Sequence, residues 1–466
     1  MALRNSPKGL PKFDWILFII YIALVGIGLM MLFATTYHDS NGGNIYSINS
    51  TFGRQAIWAA ISLVALLLVV LMDWQIFNSL AIPLYALSII SLVLVLIFGR
   101  EVNGATSWIS LGPFSIQPSE FVKLTTAIYL ASFLSALRND LRKVWTQLIS
   151  AGIFLLPAAL IMLQPDAGSA LTFFSLLILL YRRGLPSLHF IVVILVFLTV
   201  VSTLTYGVPV ALTILFLIMV AFQFDFSKMR MFSIMLLTTL TLSSLVCFQF
   251  DWSLYSAILN GLAAVGVLYY FNPRQSIGTK FSLLGGVAML AMLSYSSLFA
   301  FNNILKPHQQ DRINVWLQPE KCDPRGSLYN LLQSKLAIGS GGLTGKGYLD
   351  GTFTKLNYVP AQTTDFIFST IGEEQGFVGG VAVIILFLLL IVRIVQKGED
   401  SKHLFVKNYS YAIAGFIFLH FFVNIGMTMG ISPVIGIPLP FISKGGSSLL
   451  AFSMMIGIAL NMYKSR

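Results

Sequence analysis

The feature that most constrains this chain is the recurrence, from Trp15 to the C-terminus, of apolar runs broken by almost no charge. Each is close to the roughly 20 residues that an α-helix needs to cross the hydrocarbon of a bilayer. Barrel strands would alternate polar and apolar residues with a period of two, and these runs do not alternate, so helices are the spanning elements. Hydrophobic residues make up 56% of the 466 and charged residues 10%, too little polar cover for a soluble core of that size. The expected fold is all-α, a polytopic helical membrane protein.

Spans are expected near residues 15–37, 55–72, 76–98, 119–137, 147–163, 168–182, 188–206, 208–224, 231–250, 254–271, 281–301, 368–393, 408–430 and 445–463, about fourteen in all within a single membrane domain. The first follows Arg4, Lys8 and Lys12, is longer than a signal-peptide core and lacks a small-residue cleavage site, so it reads as an uncleaved span. Basic residues then recur in every second connection: Arg138, Arg142 and Lys143; Arg182 and Arg183; Lys228 and Arg230; Arg274 and Lys280; Arg393, Lys397, Lys402 and Lys407; Lys464 and Arg466. The positive-inside rule places these connections and both termini in the cytoplasm. The net charge of +11 is accounted for by this topology and by anionic membrane lipids, and nucleic acid is not an expected partner.

The same alternation puts one large hydrophilic segment, 302–365, on the extracytoplasmic face, long enough to carry function. Within it, Gly339-Ser340-Gly341-Gly342-Leu343-Thr344-Gly345-Lys346-Gly347 imitates a P-loop, but Ser340 stands where a glycine is needed and Gly347 where Ser or Thr should bind magnesium. Two readings stay open for it: a flexible loop, or a glycine-rich backbone with free N–H groups and nearby Lys335, Lys346 and Lys355 that holds a phosphate. Glu120 and Lys123, three residues apart at the start of a span, share a helix face and form either a structural ion pair or part of a site. Asp166 either caps the next helix or turns into the same cavity. Asp365 enters a span from the outer segment, with Glu373 and Glu374 two turns on, a density of carboxylate that solvation alone does not explain. The five histidines show no zinc spacing, Cys247 and Cys322 show no metal-ligand spacing, and no nucleophilic triad is evident, so no metal site and no nucleophilic hydrolase are expected.

Five ordered segments converge on one resemblance: Trp108 to Lys123 (WISLGPFSIQPSEFVK), Gln164 to Gly168 (QPDAG), Gln333 to Gly347 (QSKLAIGSGGLTGKG), Pro360 to Gly376 (PAQTTDFIFSTIGEEQG) and Asn424 to Ser448 (NIGMTMGISPVIGIPLPFISKGGSS). Together they resemble the SEDS family (shape, elongation, division and sporulation), along the whole chain and closer to its elongation members than to its division members. Family members usually have about ten spans, so about four, between 207 and 280, are expected to be additional. Three positions depart from the family pattern: Ser107 replaces an Arg, Lys444 a Tyr and Thr363 a His.

The resemblance implies a peptidoglycan glycosyltransferase that polymerises lipid II, with inversion at the anomeric carbon, beside a class B penicillin-binding protein. Such a displacement needs one general base for the attacking sugar hydroxyl and cations for the departing diphosphate. Asp365 matches the family's catalytic aspartate. Arg312, Lys335 and Lys346 are the candidates for the diphosphate, and Glu120, Lys123, Asp166 and Trp108 are expected to line or stiffen the cavity. No cofactor is identified, although a divalent cation, Mg or Mn, would suit the chemistry. The alternatives are a lipid II flippase and a non-catalytic scaffold.

Overall fold

Apolar segments in hydrocarbon can satisfy their backbone groups only within themselves, and the computed structural model accordingly forms mainly helices. It describes residues 13–39, 45–48, 50–102, 105–111, 114–136, 140–223, 230–249, 252–270 and 277–464. Of the residues used to orient the chain, Arg4, Lys8, Lys12, Arg138, Lys228, Arg274 and Arg466 lie outside these.

The chain divides into two compact units, Met1–Pro186 with Asp323–Arg466, and Ser187–Cys322. The first opens with α1 (Trp15–Asp39), α2 (Thr51–Leu71), α3 (Trp74–Ser79), α4 (Ala81–Phe98), α5 (Pro118–Ser135), α6 (Val144–Leu163), α7 (Ala167–Thr172) and α8 (Leu176–Arg182). The second holds α9 (Ser187–Tyr206), α10 (Val208–Gln223), α11 (Arg230–Gln249), α12 (Ser253–Tyr270), α13 (Ile277–Asn303) and α14 (Pro307–Leu317). The first unit then resumes with α15 (Tyr329–Ser340), α16 (Thr352–Lys355), α17 (Ile367–Glu374), α18 (Gly376–Glu399), α19 (Leu404–Met429) and α20 (Gly446–Lys464).

Among the described residues nine helices are long and apolar enough to span a bilayer: α1, α2, α4, α6, α9, α18, α19, α20 and the Leu284–Asn303 part of α13. The other five expected spans fall on α5, which carries Glu120 and Lys123, on α7 with α8, which a 3-10 turn interrupts, and on α10, α11 and α12. This is a multi-pass membrane protein. The expected span 368–393 is broken at Gln375: α17 stops and α18 starts at Gly376 with φ +64°, where a side chain's Cβ would fall 2.2 Å from the Gly345 nitrogen. Only glycine tolerates both the left-handed backbone and that approach.

Two further features concern the connections. Strands β1 (Arg100–Val102), β2 (Ala105–Leu111) and β3 (Phe114–Ile116) form an antiparallel meander, with Trp108 opposite Arg100 and Ile109 opposite Ile116, in a chain expected to be all-helical. The hydrophilic segment 302–365 contains helices of its own, α14, α15 and α16.

In the first unit α19 and α20 are the most enclosed spans; α19 packs on α5 and α18, and α20 on α2. The turn-rich segment 430–445 joins them. In the second unit, buried hydroxyls and an amide link helices: Thr203 to Ser294 at 3.1 Å, Thr213 to Ser256 at 3.3 Å and Asn260 to Ser244 at 2.9 Å. Such bonds join helices where water cannot compete. The expected additional helices of 207–280 belong to this unit.

Candidate active site

The segment 430–445 gathers the five sequence motifs around Asp365. Gly436 adopts φ +77°, and a Cβ there would lie 3.2 Å from Asp365 Oδ2, so the carboxylate rests on this glycine. On the other side of the same turn, a Cβ on Gly168 would meet the carbonyl oxygens of Ile435 at 3.1 Å and Gly436 at 3.4 Å. Asn424 Nδ2, from α19, donates to the carbonyls of Asp365 at 2.8 Å and Ile437 at 2.7 Å and so sets the two segments in register. Asp365 itself is half-buried.

Asp166 takes the capping role: its Oδ1 accepts from the Ser169 N–H at 3.0 Å, at the start of α7. Its Oδ2 accepts from Gln117 Nε2 at 2.9 Å, which ties the Gln164–Gly168 motif to the start of α5. Trp108, half-buried on β2, neighbours this junction through strand pairing, and Thr106 N–H bonds the Gln164 carbonyl at 3.2 Å.

Glu120 and Lys123 form a buried ion pair at 2.7 Å, as helical spacing of three allows. The Lys123 ammonium also donates to His420 Nε2 at 3.0 Å and lies 5.7 Å above the Phe452 ring. Because the Pro438 carbonyl, 3.1 Å away, can only accept, His420 Nδ1 carries the proton and Nε2 offers its lone pair to Lys123. A charged pair at membrane depth is thereby linked to the segment that supports Asp365. His420 drew no attention as a lone histidine on an apolar helix; the available signal was that it stands four residues before Asn424, on the same face. His420→Phe, which fills the space but loses both bonds, is expected to cost about 2 kcal/mol of stability, while His420→Gln, which can donate and accept, retains most of it. Melting in detergent measures this, and equal melting of His420→Phe and wild type would remove the link.

Three N–H groups at the end of the glycine-rich stretch are engaged. The N–H of Lys346 bonds the Glu373 carbonyl at 3.0 Å, that of Gly347 bonds Glu374 at 3.1 Å and that of Gly345 bonds Gly341 at 2.9 Å, so this backbone caps the C-terminal end of α17. The glycines serve close packing: a Cβ on Gly341 would lie 2.0 Å from the Gly372 oxygen, and one on Gly345, at φ +82°, 2.1 Å from that of Glu374. Lys346, expected to be an exposed cation, is committed as well. Its Nζ meets Glu373 Oε1 at 2.8 Å and Thr352 Oγ1 at 2.7 Å, and lies 5.2 Å above the Phe353 ring. Glu373 is fully buried and also accepts from the N–H groups of Phe353 and Thr354, both at 2.9 Å.

Lys335 lies exposed at the end of α19, where a Cβ on Gly430 would fall 2.6 Å from its Nζ. A cation there complements the exposed carbonyls of a helix C-terminus. Arg312 is exposed on α14, in the second unit. Of the expected site residues, the structure thus joins Asp365, Asp166, Glu120 and Lys123 through the 430–445 turn and its supports, places Lys335 at the head of that turn, and uses Lys346 as a brace.

This arrangement of membrane helices, a supported aspartate and a turn between two enclosed spans is that of an integral membrane protein with a polar site near one face. The chain belongs to the FtsW/RodA/SpoVE family of cell cycle proteins, which it matches over residues 14–212 and 206–466. It is 32% identical to the peptidoglycan glycosyltransferase RodA of Treponema pallidum (strain Nichols) over 457 residues, 98% of each chain. It is 27% identical to the peptidoglycan glycosyltransferase MrdB of Escherichia coli (strain K12) over 445 residues, 95% of this chain and 92% of that one. Among solved structures, it resembles a chain from a study of "structural coordination of polymerization and crosslinking by a peptidoglycan synthase complex", with TM-score 0.63, 24% identity and coverage of 97% and 98%. It also resembles the rod shape determining protein RodA of Thermus thermophilus, with TM-score 0.57, 24% identity and 98% of each chain covered.

Proposed function

We propose that this protein is a peptidoglycan glycosyltransferase that polymerises lipid II in the cell (inner) membrane, and the observation that carries the proposal is Asp365. Asp365 is half-buried, its Oδ2 lies against Gly436 and its backbone carbonyl is held by Asn424, so a base is fixed in place on the turn. The hydroxyl oxygen of the acceptor sugar attacks the anomeric carbon of the donor, its proton passes to Asp365, and the bond from that carbon to the diphosphate breaks. The configuration inverts, and the diphosphate departs as an anion that needs no proton. Lys335 is the predicted cation best placed to stabilise that charge, and Glu120, Lys123, His420 and Asp166 hold the turn that carries the site. Among the described residues no three His, Cys, Asp or Glu side chains gather as metal ligands. A class B penicillin-binding protein is the partner that this reading entails.

Reconstitution in liposomes tests it. With lipid II supplied only in the outward-facing leaflet, the transferase reading predicts glycan without transbilayer movement. A flippase would move the labelled lipid and make no glycan, and a scaffold would do neither.

The reading requires the outer segment to face away from the cytoplasm and both termini to face into it. A cysteine introduced at position 350, at an exposed site between α15 and α16, is expected to react with an impermeant thiol reagent on intact cells, and one at position 400, after α18, is not. The reverse pattern would overturn the topology.

A further inference from the structure

The 430–445 turn passes three places in order: Gly430 against Lys335, Gly436 against Asp365, and then Lys444. Lys444 belongs to the site by its backbone. Its N–H donates to the Thr363 carbonyl at 2.9 Å, and the neighbouring Ser443 hydroxyl donates to that of Thr364 at 2.6 Å, which clamps this end of the turn to the two residues before Asp365. Its Nζ lies 3.4 Å from Thr51 Oγ1, at the first residue of α2. Arg54 is three residues further on, on the same helix face, and its Nε is steadied by the Ile48 carbonyl at 3.1 Å. Gln55 fastens the arrangement, accepting from the Gly445 N–H at 3.1 Å and donating to the Ser443 carbonyl at 3.4 Å.

Among the described residues the ion pairs occupy Lys123, Arg182, Lys346, Lys355, Arg393, Lys397 and Lys407, and neither Lys444 nor Arg54 meets a carboxylate. Two cations brought to one helix end without a counter-charge repel each other. Burial first, and then the charge of Arg54, hold Lys444 below the usual lysine range. An anion seated between them would relieve the repulsion and take charge-assisted hydrogen bonds from both.

We propose that Lys444 and Arg54 form a second anion subsite, which takes the phosphate ester of the second of the two lipid-linked saccharides joined in the reaction. The inference rests on the polymerase reading, because only a reaction between two lipid diphosphates needs a cation on each side of its base. Lys335 and Lys444 flank Asp365 along the turn, one position for each lipid. Lys444, which breaks the family pattern, becomes a determinant of this chain's substrate affinity.

Binding of labelled, undecaprenyl-diphosphate-linked disaccharide is measured in nanodiscs of phosphatidylcholine, in an Asp365→Asn background so that substrate is not consumed. Lys444→Met and Arg54→Gln are each expected to raise Kd about tenfold, the scale of one lost hydrogen bond to a charged group, with melting unchanged. Lys444→Arg, which keeps the charge, should restore affinity. If Lys444→Met leaves disaccharide affinity unchanged and abolishes only enrichment of phosphatidylglycerol in mixed phosphatidylglycerol–phosphatidylcholine nanodiscs, the site takes a phospholipid headgroup and the proposal is wrong. Glycan synthesis by wild type together with unchanged affinity in both variants sinks the subsite alone. Weakened affinity in both variants, with no glycan from wild type, leaves the anion site standing and sinks the polymerase reading.

Discussion

Asp365→Asn is expected to lower glycan polymerisation by roughly 100- to 10,000-fold, the range that removal of a positioned general base commonly costs. The change keeps side-chain size and leaves the backbone carbonyl that Asn424 holds at 2.8 Å, so melting and substrate affinity should stay near wild type. Asp365→Glu tests geometry as distinct from charge. Its extra methylene would drive the carboxylate against Gly436, where Oδ2 already stands 3.2 Å from the position of a Cβ, and attack geometry is sensitive to shifts of about an ångström. Only a small residue of activity is expected. Initial rates of labelled-glycan formation by the three proteins, normalised to folded protein, measure both effects. A rate for Asp365→Asn within a fewfold of wild type would require another base.

The second large effect concerns stability. Glu373 is fully buried and accepts from Lys346, Thr352, Phe353 and Thr354 at 2.8–3.2 Å, so it holds α16 and the glycine-rich stretch against α17. Glu373→Gln turns one acceptor oxygen into a donor that faces donors, and removes the counter-charge of Lys346; a loss of about 3 kcal/mol is expected. Lys346→Met should cost less on its own, since Lys346 is 26% exposed, but more than an unpaired surface lysine would, because it leaves the Glu373 charge buried. The double variant should cost less than the sum, since the two share one interaction. Melting in detergent, with limited proteolysis between 341 and 356 as the local probe, checks both points. Additive losses would show that the pair is not coupled.

How much of this was legible beforehand differs from element to element. The apolar runs announced the spanning helices because an unbroken apolar segment in hydrocarbon satisfies its backbone groups within itself, and each expected span falls on helical segments, two of them interrupted. The break between α17 and α18 was hidden: hydropathy averages across it, while its cause is the left-handed Gly376 and the approach of Gly345 from a distant segment. The meander at 100–116 was missed because strands of three to seven residues beside long apolar helices leave little periodicity to detect.

At the site, the aspartate and its supporting motifs were visible as polar residues in costly places, but their roles depend on partners distant in sequence. For the glycine-rich stretch the composition left a flexible loop and a phosphate-holding backbone both open, and it gave no sign that the Lys346 and Gly347 N–H groups bond the carbonyls at the end of α17. The pairing of Lys123 with His420 joins residues 297 apart and could not be read from either neighbourhood. Lys444 looked like a loss of a family residue, and only its placement beside Thr51 and Thr363 shows a cation at the site.

The central claim, that Asp365 serves a single inverting displacement between two lipid-linked saccharides, is tested most directly by the product. Purified protein, supplied with a class B penicillin-binding protein, is incubated with labelled lipid II in detergent, where transbilayer movement has no meaning, and the anomeric configuration of the new linkages is determined by NMR. Glycan strands whose new bonds are opposite in configuration to the donor's bond to diphosphate are predicted. Strands of retained configuration, or no strands from folded protein, would contradict the account.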